Sequence, residues 1–209
     1  MKLSNRLKSI ASLIDKDTTV IDIGCDHALL DIYLTINGTK CIASDINKNA
    51  LNIAENNIKK YHLEDKIKTI LSNGLENIDI PSNNTIVICG MGTKTIIDIL
   101  KDTSKIDNLI IQSNNELEKL RRYITSKNFY IDKEIKLKDK NKFYTLMKFK
   151  KGIKKYSKFE YIYGIDYSNK EYIEYEINKN NFVLNKMPKK YFIKRYKLKQ
   201  LNKYLKNKL

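Results

Sequence analysis

The 209-residue sequence contains no apolar run that approaches the roughly 20 residues of a membrane-spanning helix. Its first six residues also lack the apolar segment of a signal peptide. Cysteines are few, and the three that occur, Cys25, Cys41 and Cys89, are odd in number and far apart, which disfavours a disulfide framework and a zinc site. We therefore expect a cytoplasmic protein that has reduced thiols, binds no metal and contacts no membrane.

Acidic residues are also in short supply, because 24 Asp and Glu face 40 Lys and Arg, a net charge of +16. From Lys151 onward there are 16 basic and five acidic residues, or +11, which leaves +5 for the first 150. Such a charge on a short segment suggests a polyanion partner, most simply a nucleic acid. The alternative is compositional, since an AT-rich genome would also make a chain rich in Lys, Asn, Ile and Tyr.

Apolar strands and amphipathic helices alternate along the first 150 residues, after an opening helix with apolar positions between Leu3 and Ile14. Apolar strands that are joined by helices require a parallel sheet covered on both faces. The pattern predicts an α/β fold with a doubly wound, mostly parallel, seven-stranded Rossmann-like sheet. Its predicted strands are 19–23, 40–44, 67–71, 86–89 and 109–112, followed by a hairpin of 130–137 and 143–149.

The composition changes at Gly152, beyond which the chain is basic and rich in tyrosine. We divide it into a main domain of residues 1–152 and a small basic helical appendage of residues 153–209. In the appendage, aromatic residues between Tyr156 and Tyr167 are interpreted as its core rather than as a stacking surface. Phe192, Tyr196, Leu198, Leu201 and Leu205 are predicted to form one apolar edge of a lysine-covered final helix.

Unusual turn sequences follow the five predicted parallel strands at their carboxyl ends. Ligands of parallel sheets bind outside these ends, so we expect all five turns to converge on one cleft. The turns contain Gly24, Asp45, Asn73 with Gly74, Gly90-Met91-Gly92, and Gln112-Ser113-Asn114.

The turn after the first strand, Asp22-Ile23-Gly24-Cys25-Asp26, indicates which ligand suits this cleft. A dinucleotide-binding turn needs three spaced glycines, whereas here only Gly24 is present and Asp26 stands where a second glycine would admit the pyrophosphate. Two carboxylates at the rim favour a positively charged ligand, because anion–anion contact in a cleft is poorly screened. Asp45 can accept hydrogen bonds from ribose hydroxyls. We therefore favour S-adenosylmethionine over a dinucleotide.

Several short segments carry a resemblance to a known family. They are Asp22-Ile23-Gly24-Cys25-Asp26-His27-Ala28, Asn73-Gly74-Leu75, Gly90-Met91-Gly92 and Leu109-Ile110-Ile111-Gln112-Ser113-Asn114. With the opening Leu3-Ser4-Asn5-Arg6-Leu7, they resemble the bacterial tRNA (adenine(22)-N(1))-methyltransferase family of the TrmK type over about residues 1–150. The sequence departs from that family at Asn73, Thr93 and Ser113, where aspartate, glycine and proline are usual. Its appendage is also shorter than the usual pair of coiled helices.

The resemblance implies transfer of a methyl group from S-adenosylmethionine to N1 of an adenine in tRNA, adenine 22 in the family. Residues 1–152 would form the catalytic domain and residues 153–209 a tRNA contact, with a monomer favoured. The residues assigned to the cofactor are Asp22, Gly24, His27, Asp45, Ile46, Asn73, Gly74 and Gly90. Those assigned to the substrate are Met91, Gly92, Asn114 and Arg6.

Methylation of adenine N1 requires no strong base, because this nitrogen already has an exposed lone pair. Positioning is sufficient, together with a carboxylate near the base as it gains positive charge. We assign that carboxylate to Asp26; the alternative is that Asp26 only caps a helix or contacts the cofactor. The loop Gly90-Met91-Gly92 lacks the proline typical of enzymes that methylate exocyclic nitrogens, and Cys89 is interpreted as a core thiol rather than a nucleophile.

Two other functions stay open on the sequence alone. Asn73, Thr93 and the basic end of the chain are also compatible with a noncatalytic RNA-binding module that keeps this fold. The cleft by itself is compatible with a small-molecule methyltransferase, whose activity would not depend on salt as that of a tRNA enzyme would.

Overall fold

The computed structural model describes residues 3–209, which form seven strands and eight helices. The strands are β1 (Thr19–Ile23), β2 (Lys40–Asp45), β3 (Ile67–Leu71), β4 (Asn84–Met91), β5 (Asn108–Ser113), β6 (Phe129–Asp139) and β7 (Lys142–Lys151). The helices are α1 (Asn5–Ala11), α2 (Leu29–Ile36), α3 (Lys48–Lys60), α4 (Thr93–Ile99), α5 (Leu117–Ser126), α6 (Lys158–Tyr163), α7 (Lys170–Lys186) and α8 (Phe192–Lys206). Within residues 3–209, no helix combines the length and the apolar character that a bilayer crossing demands.

The seven strands form one sheet in the order β3-β2-β1-β4-β5-β7-β6. The first five strands in this order are parallel, whereas β7 is antiparallel to both of its neighbours. Helices α2, α3 and α4 make three of the parallel connections, as expected for apolar strands that must be covered on both faces. The doubly wound, mostly parallel sheet predicted from the sequence is confirmed.

Side chains of each strand alternate between the two faces of the sheet and build two cores. In β1, Val20 packs in the core that includes residues of α1, α2 and α3. Ile21 and Ile23 pack in the opposite core, which includes residues of α4 and α5. Because Asp22 lies two residues after Val20, its side chain faces the α2 side of the sheet, inside the protein.

Strand β4 continues to Met91, two residues beyond its predicted end at Cys89. Its register with β5 shifts between Cys89 and Met91, so Gly90 is the extra residue of a β-bulge. Gly90 has a φ of +88°, and a Cβ atom at this position would meet no other atom within 4 Å. Glycine therefore suits the bulge through its backbone angle rather than through lack of space. The segment Gly90-Met91-Gly92, which we expected to be a loop, is partly a bulged strand end.

A buried ion pair ties the segment after β7 to the sheet. Arg121 of α5 donates through Nε to Oε1 of Glu134 in β6 at 2.7 Å, and neither side chain is exposed. Arg121 also donates to the carbonyls of Tyr161 and Ile162, at 3.0 and 3.1 Å, while the backbone N–H of Ile165 donates to Glu134 at 2.7 Å. Helix α6 is thereby held against α5 and β6.

Helices α7 and α8 form an antiparallel hairpin, and Ile173, Ile177 and Leu205 of this hairpin build a small core together with Tyr163 of α6. In this core, Asn180 donates to Asn202 at 2.9 Å and to the hydroxyl of Tyr163 at 2.9 Å. The burial of Tyr163 confirms the interpretation of that tyrosine as core.

The predicted apolar edge of the last helix is only partly correct. Leu201 and Leu205 pack against the hairpin core, but Phe192 and Tyr196 are 69% and 64% exposed. The reason is that these two aromatic residues lie near the turn between α7 and α8, at the end of the hairpin away from its core.

Candidate active site

A cleft of about 910 Å³ opens at the carboxyl ends of β1, β2, β3 and β4. Its volume is in the range of sites that bury a small molecule of cofactor size. Five of the residues assigned to the cofactor and one assigned to the substrate line it, namely Gly24, Asp45, Ile46, Asn73, Gly74 and Met91. The expected convergence of strand ends is therefore found for four of the five turns.

Gly24 brings bare backbone to the wall of the cleft. Its φ is +80°, and a Cβ atom at this position would lie 2.5 Å from Cε of Met91. Its N–H and that of Cys25 both donate to the carbonyl of Ser44, at 2.8 and 2.9 Å. Glycine is thus required twice, by the left-handed backbone angle and by the close approach of Met91.

Asp45 connects the turn after β1 with the turn after β2. Its Oδ2 accepts a hydrogen bond from the backbone N–H of Asp26 at 3.2 Å, and its Oδ1 accepts one from Asn47 at 2.8 Å. Each oxygen of a carboxylate has two lone pairs, so each keeps one for a ligand. A half-buried carboxylate held in this way can bind two neighbouring hydroxyl groups.

The charge of the cleft is opposite to that of the whole chain. Five acidic and two basic residues line it, a net charge of −3, whereas the chain carries +16. A negative cleft attracts a cationic ligand and repels a pyrophosphate. The charged lining residues are Asp45, Glu76, Asp79, Asp98, Asp102, Lys101 and Lys105.

Asp22 does not lie at the rim of the cleft, as we expected, but is buried beneath it against Asp31 of α2. Burial, and then the nearby charge of Asp31, raises the pKa of Asp22 well above its usual range. Burial likewise raises the pKa of Asp31 to about 7. Within residues 3–209 neither carboxyl oxygen of Asp31 has a hydrogen-bond donor, so the two carboxyl groups share a proton near neutral pH.

Asp26 and His27 lie beside the cleft rather than among its lining residues. Both side chains are at least half exposed, and Nε2 of His27 is 3.5 Å from Oδ1 of Asp26. Asp26 has a φ of +50°, and the residue at the N-cap position of α2 is Ala28. The alternative interpretation of Asp26 as a helix cap is therefore wrong.

Asn114 holds the bulged end of β4 in place. Its Nδ2 donates to the carbonyl of Gly90 at 2.7 Å, and its backbone N–H donates to the carbonyl of Met91 at 2.9 Å. Gln112, which is fully buried, donates to Oδ1 of Asn114 at 3.1 Å and thereby orients the amide. These bonds place Asn114 and Gly90 side by side, but neither residue lines the cleft.

Two of the residues that depart from the resembled family contact each other. Thr93 and Ser113 are buried, and their hydroxyl oxygens are 2.9 Å apart. Thr93 also donates to the carbonyl of Asn115 at 2.7 Å, and its N–H donates to Oδ1 of Asn115 at 2.9 Å. These bonds fasten Gly92 and the start of α4 to the end of β5. No local sequence signal indicated that Asn115 contacts Thr93.

The remaining candidates are not brought into the cleft. Arg6 of α1 lies over the ring of Tyr144, with its guanidinium carbon 5.3 Å from the ring centre. Burial raises the pKa of the Cys89 thiol, so this side chain stays protonated and is a poor nucleophile at neutral pH. Among residues 3–209 no group of three His, Cys, Asp or Glu side chains is arranged to hold a metal ion.

Comparison with known proteins places this geometry among the methyltransferases. The family described as "Methyltransferase domain" matches residues 3–147. The tRNA (adenine(22)-N(1))-methyltransferase of Bacillus subtilis is 30% identical over 154 residues, which are 70% of this chain and 64% of that enzyme. The chain thus matches slightly less than two thirds of that relative's length.

Two solved structures are similar over nearly the whole chain. The structure of M. capricolum TrmK in complex with S-adenosylhomocysteine has a TM-score of 0.87, 37% identity, and a match to 99% of each chain. A protein of the NADB-Rossmann superfamily from Streptococcus agalactiae has a TM-score of 0.87 and 31% identity, over 100% of this chain and 98% of that one. These matches include the C-terminal helices, so α7 and α8 are not truncated relative to either structure.

Proposed function

The chain belongs to the TrmK-type tRNA (adenine(22)-N(1))-methyltransferase family, as its sequence suggested, and on that premise we propose that it methylates N1 of an adenine in tRNA. The observation that carries this proposal is the −3 cleft at the strand ends of a +16 chain. Such a cleft suits a cationic methyl donor, while the rest of the chain suits a polyanionic substrate.

The residues of the cleft fit S-adenosylmethionine. Asp45 keeps one lone pair on each oxygen for the ribose hydroxyls, and Gly24 lets the ligand approach the backbone. Asn73 can donate to or accept from the edge of the adenine ring, although its Nδ2 is also bonded to Glu76 at 2.9 Å. When bound, the cofactor supplies an electrophilic methyl group next to a positive sulfur.

In this proposal Asp26 is the catalytic carboxylate. Its side chain is 74% exposed beside the cleft, and its backbone is fixed by the hydrogen bond to Asp45. It accepts a hydrogen bond from the adenine amino group, whose N–H becomes more acidic as N1 gains a substituent. The carboxylate is not required to remove a proton from N1, and its effect is electrostatic.

The proposed substrate residues surround the end of β4. Met91 lines the cleft, and Gly92 and Asn114 follow it along the rigid unit formed by β4, β5 and the start of α4. Arg6 and the basic residues after residue 152 are proposed to contact the tRNA backbone. The target adenine must leave its stack to reach the cleft. A cytoplasmic location and a monomeric state stay predictions.

The test is mass spectrometry of nucleosides from unmodified tRNA after incubation with the protein and S-adenosylmethionine. We expect 1-methyladenosine from the wild-type chain and a loss of about 100-fold or more in rate for Asp26→Asn. Asparagine tolerates the positive φ of this position, so the substitution removes charge and leaves the backbone.

Calorimetry with S-adenosylmethionine is the control, because Asp26→Asn should still bind the cofactor. Full activity of this variant would remove Asp26 from catalysis. Tight tRNA binding by the wild-type chain without methyl transfer to any RNA would indicate a noncatalytic module. Methylation of a small molecule and of no RNA would indicate a small-molecule methyltransferase.

A further inference from the structure

The hairpin of α7 and α8 is anchored to the rest of the protein at one end. There, the rings of Tyr172 and Tyr175 lie 5.4 and 5.1 Å from that of Phe143 in β7. In α8, Tyr204 stacks on Phe159 of α6, with ring centres 4.2 Å apart and planes 5° from parallel. Helix α7 has 17 residues and is about 25 Å long, so the turn that joins the two helices lies about that far from the anchor.

Two aromatic residues near that turn are largely exposed. Phe192 and Tyr196 are 69% and 64% exposed and lie one turn apart on the same side of α8, with Cβ atoms about 6 Å apart. Tyr204, two turns further along the same helix, is packed against the protein. Ile193 is 58% exposed as well, so α8 leaves apolar side chains in solvent near the turn, and such a surface calls for a partner.

The hairpin, including its turn end, has uncompensated positive charge. After Glu176 the chain contains 11 Lys and Arg and no Asp or Glu. In the part of the chain that the structure describes, no lysine beyond Lys179 is paired with a carboxylate. Arg195 differs from these lysines, because it has a structural role. It donates to the carbonyls of Leu184 and Met187, at 2.6 and 2.5 Å, and thereby closes the turn between α7 and α8.

We propose that Phe192 and Tyr196 form a stacking surface for unpaired nucleotides of the tRNA, with the surrounding lysines on the phosphates. The inference rests on the proposed function, which supplies RNA as the partner. Bases stack on aromatic rings in single-stranded segments and loops, where they are not already paired. This surface lies in α8, not among the tyrosines between Tyr156 and Tyr167, which the fold uses for packing.

Charge complementarity favours RNA over the other partners that an exposed apolar pair could have. A second copy of this chain would bring its own net charge of +16 against the hairpin. A membrane surface would need a continuous apolar face, but Leu201 and Leu205 are turned toward the hairpin core. The exposed apolar residues of α8, Phe192, Ile193 and Tyr196, are then confined to its first turns, where Lys194, Arg195 and Lys197 alternate with them.

The experiment compares three double variants by the dissociation constant for an unmodified tRNA transcript. Phe192→Leu with Tyr196→Leu keeps apolar side chains but removes both rings. Phe192→Tyr with Tyr196→Phe keeps both rings. Lys194→Gln with Lys197→Gln removes two charges and keeps the rings. Each is measured over a series of salt concentrations, and also with a fully paired RNA of similar length.

We expect the leucine variant to bind tRNA about 5- to 100-fold more weakly at every salt concentration, with an unchanged salt slope. It should bind the fully paired RNA as the wild type does, and the ring-keeping variant should bind both RNAs normally. The glutamine variant should instead flatten the salt slope by about 1.4 to 1.8, because each phosphate that a lysine no longer neutralises lowers the slope by about 0.7 to 0.9.

Equal tRNA binding by the leucine variant and the wild type would overturn the proposal. So would loss of self-association, or of binding to anionic vesicles, in the leucine variant without a change in tRNA binding. Because these measurements follow binding, a chain that binds tRNA through these rings but transfers no methyl group would leave the surface intact and refute only the proposed activity.

Discussion

The cleft and the α7–α8 hairpin differ in the sign of their charge and in how their charged side chains are held. The cleft has five acidic and two basic side chains among its lining, and its carboxylate Asp45 is fixed by two backbone N–H groups. The hairpin has 11 basic and no acidic residues after Glu176, and its lysine side chains are exposed. One region is built to hold a small cation in a defined position, and the other to attract a large anion without fixing each phosphate.

This difference would allow one chain to bind the two ligands of opposite charge that the proposed function requires. The tRNA backbone would be repelled by the acidic cleft, so only the target base should enter it. S-adenosylmethionine would be repelled by the hairpin. The separation of charge would thus keep the phosphates at the hairpin and the methyl donor in the cleft.

The largest effect is expected at the buried ion pair that keeps both regions in one unit. Glu134→Ala leaves the guanidinium of Arg121 buried without its carboxylate, and removing one partner of a buried pair costs about 3–5 kcal/mol. Chemical denaturation measures this loss of unfolding free energy.

The matched control is Glu118→Ala, which removes the partner of Arg122 in an exposed pair with 43% and 46% exposed side chains. Exposed pairs of this kind contribute about 1 kcal/mol or less. Equal destabilisation by the two substitutions would mean that burial does not set the strength of the Arg121–Glu134 pair.

The next largest effect is expected from salt, which should weaken tRNA binding at the hairpin much more than cofactor binding in the cleft. Raising the salt concentration from about 50 to 200 mM should weaken tRNA binding by at least about 100-fold. The reason is that the release of counterions from the phosphates becomes less favourable as the salt concentration rises. Binding of S-adenosylmethionine should change less than about threefold, since a single ligand charge is involved. Filter binding and calorimetry measure the two. A cofactor affinity that falls as steeply as that of tRNA would contradict the separation.

Gly24→Ala should damage the cleft alone, by about 10- to 100-fold in S-adenosylmethionine affinity. The added methyl group meets Met91 and requires a left-handed angle that costs alanine about 1–2 kcal/mol. Gly38→Ala is the control, because Gly38 has a φ of +89° but open space around it. Calorimetry should show normal cofactor binding for Gly38→Ala and normal tRNA binding for both. Equal cofactor loss in both variants would indicate general strain.

The sheet and most of the cleft were predictable, because their signals are local. A β-branched run that ends at Gly24 needs no distant residue to be recognised, and parallel strands bring their carboxyl ends together. The same holds for Asp45 at the end of β2. The turn alone favoured S-adenosylmethionine over a dinucleotide, whereas the expectation of adenine N1 as the methyl acceptor came from the family resemblance.

The predictions were wrong where packing between residues that are distant in sequence determines whether a side chain is exposed or buried. Phe192 and Tyr196 have the same helical spacing as Leu201 and Leu205, and only the position of the hairpin core separates exposed from buried. Asp22, which we expected at the rim of the cleft, is the other example, because it is buried against Asp31. An acidic residue in the first turn of a helix is usually a surface feature that favours the helix dipole, and nothing local shows that Asp31 is buried against Asp22.

The smallest predicted effect contrasts this buried carboxyl pair with the solvated lysines of the hairpin. Between the ordinary pKa of 3.8 and about 7, the folded protein keeps the proton of Asp31, whereas the unfolded chain has released it. The unfolded state then binds fewer protons, so the free energy of unfolding falls as pH rises through this window. Asp31→Asn replaces the titrating carboxyl group by an amide, which can donate a hydrogen bond to the carboxylate of Asp22.

Asp31→Asn should therefore leave stability nearly unchanged at pH 5 and raise the melting temperature above that of the wild type at pH 8. Thermal unfolding at both pH values measures this difference. Asp65→Asn, which removes an exposed carboxylate, should show no such dependence on pH. If Asp31→Asn were destabilising to the same extent at both values, the pair would not share a proton, and the acidity beneath the cleft would add to the charge that faces the cofactor.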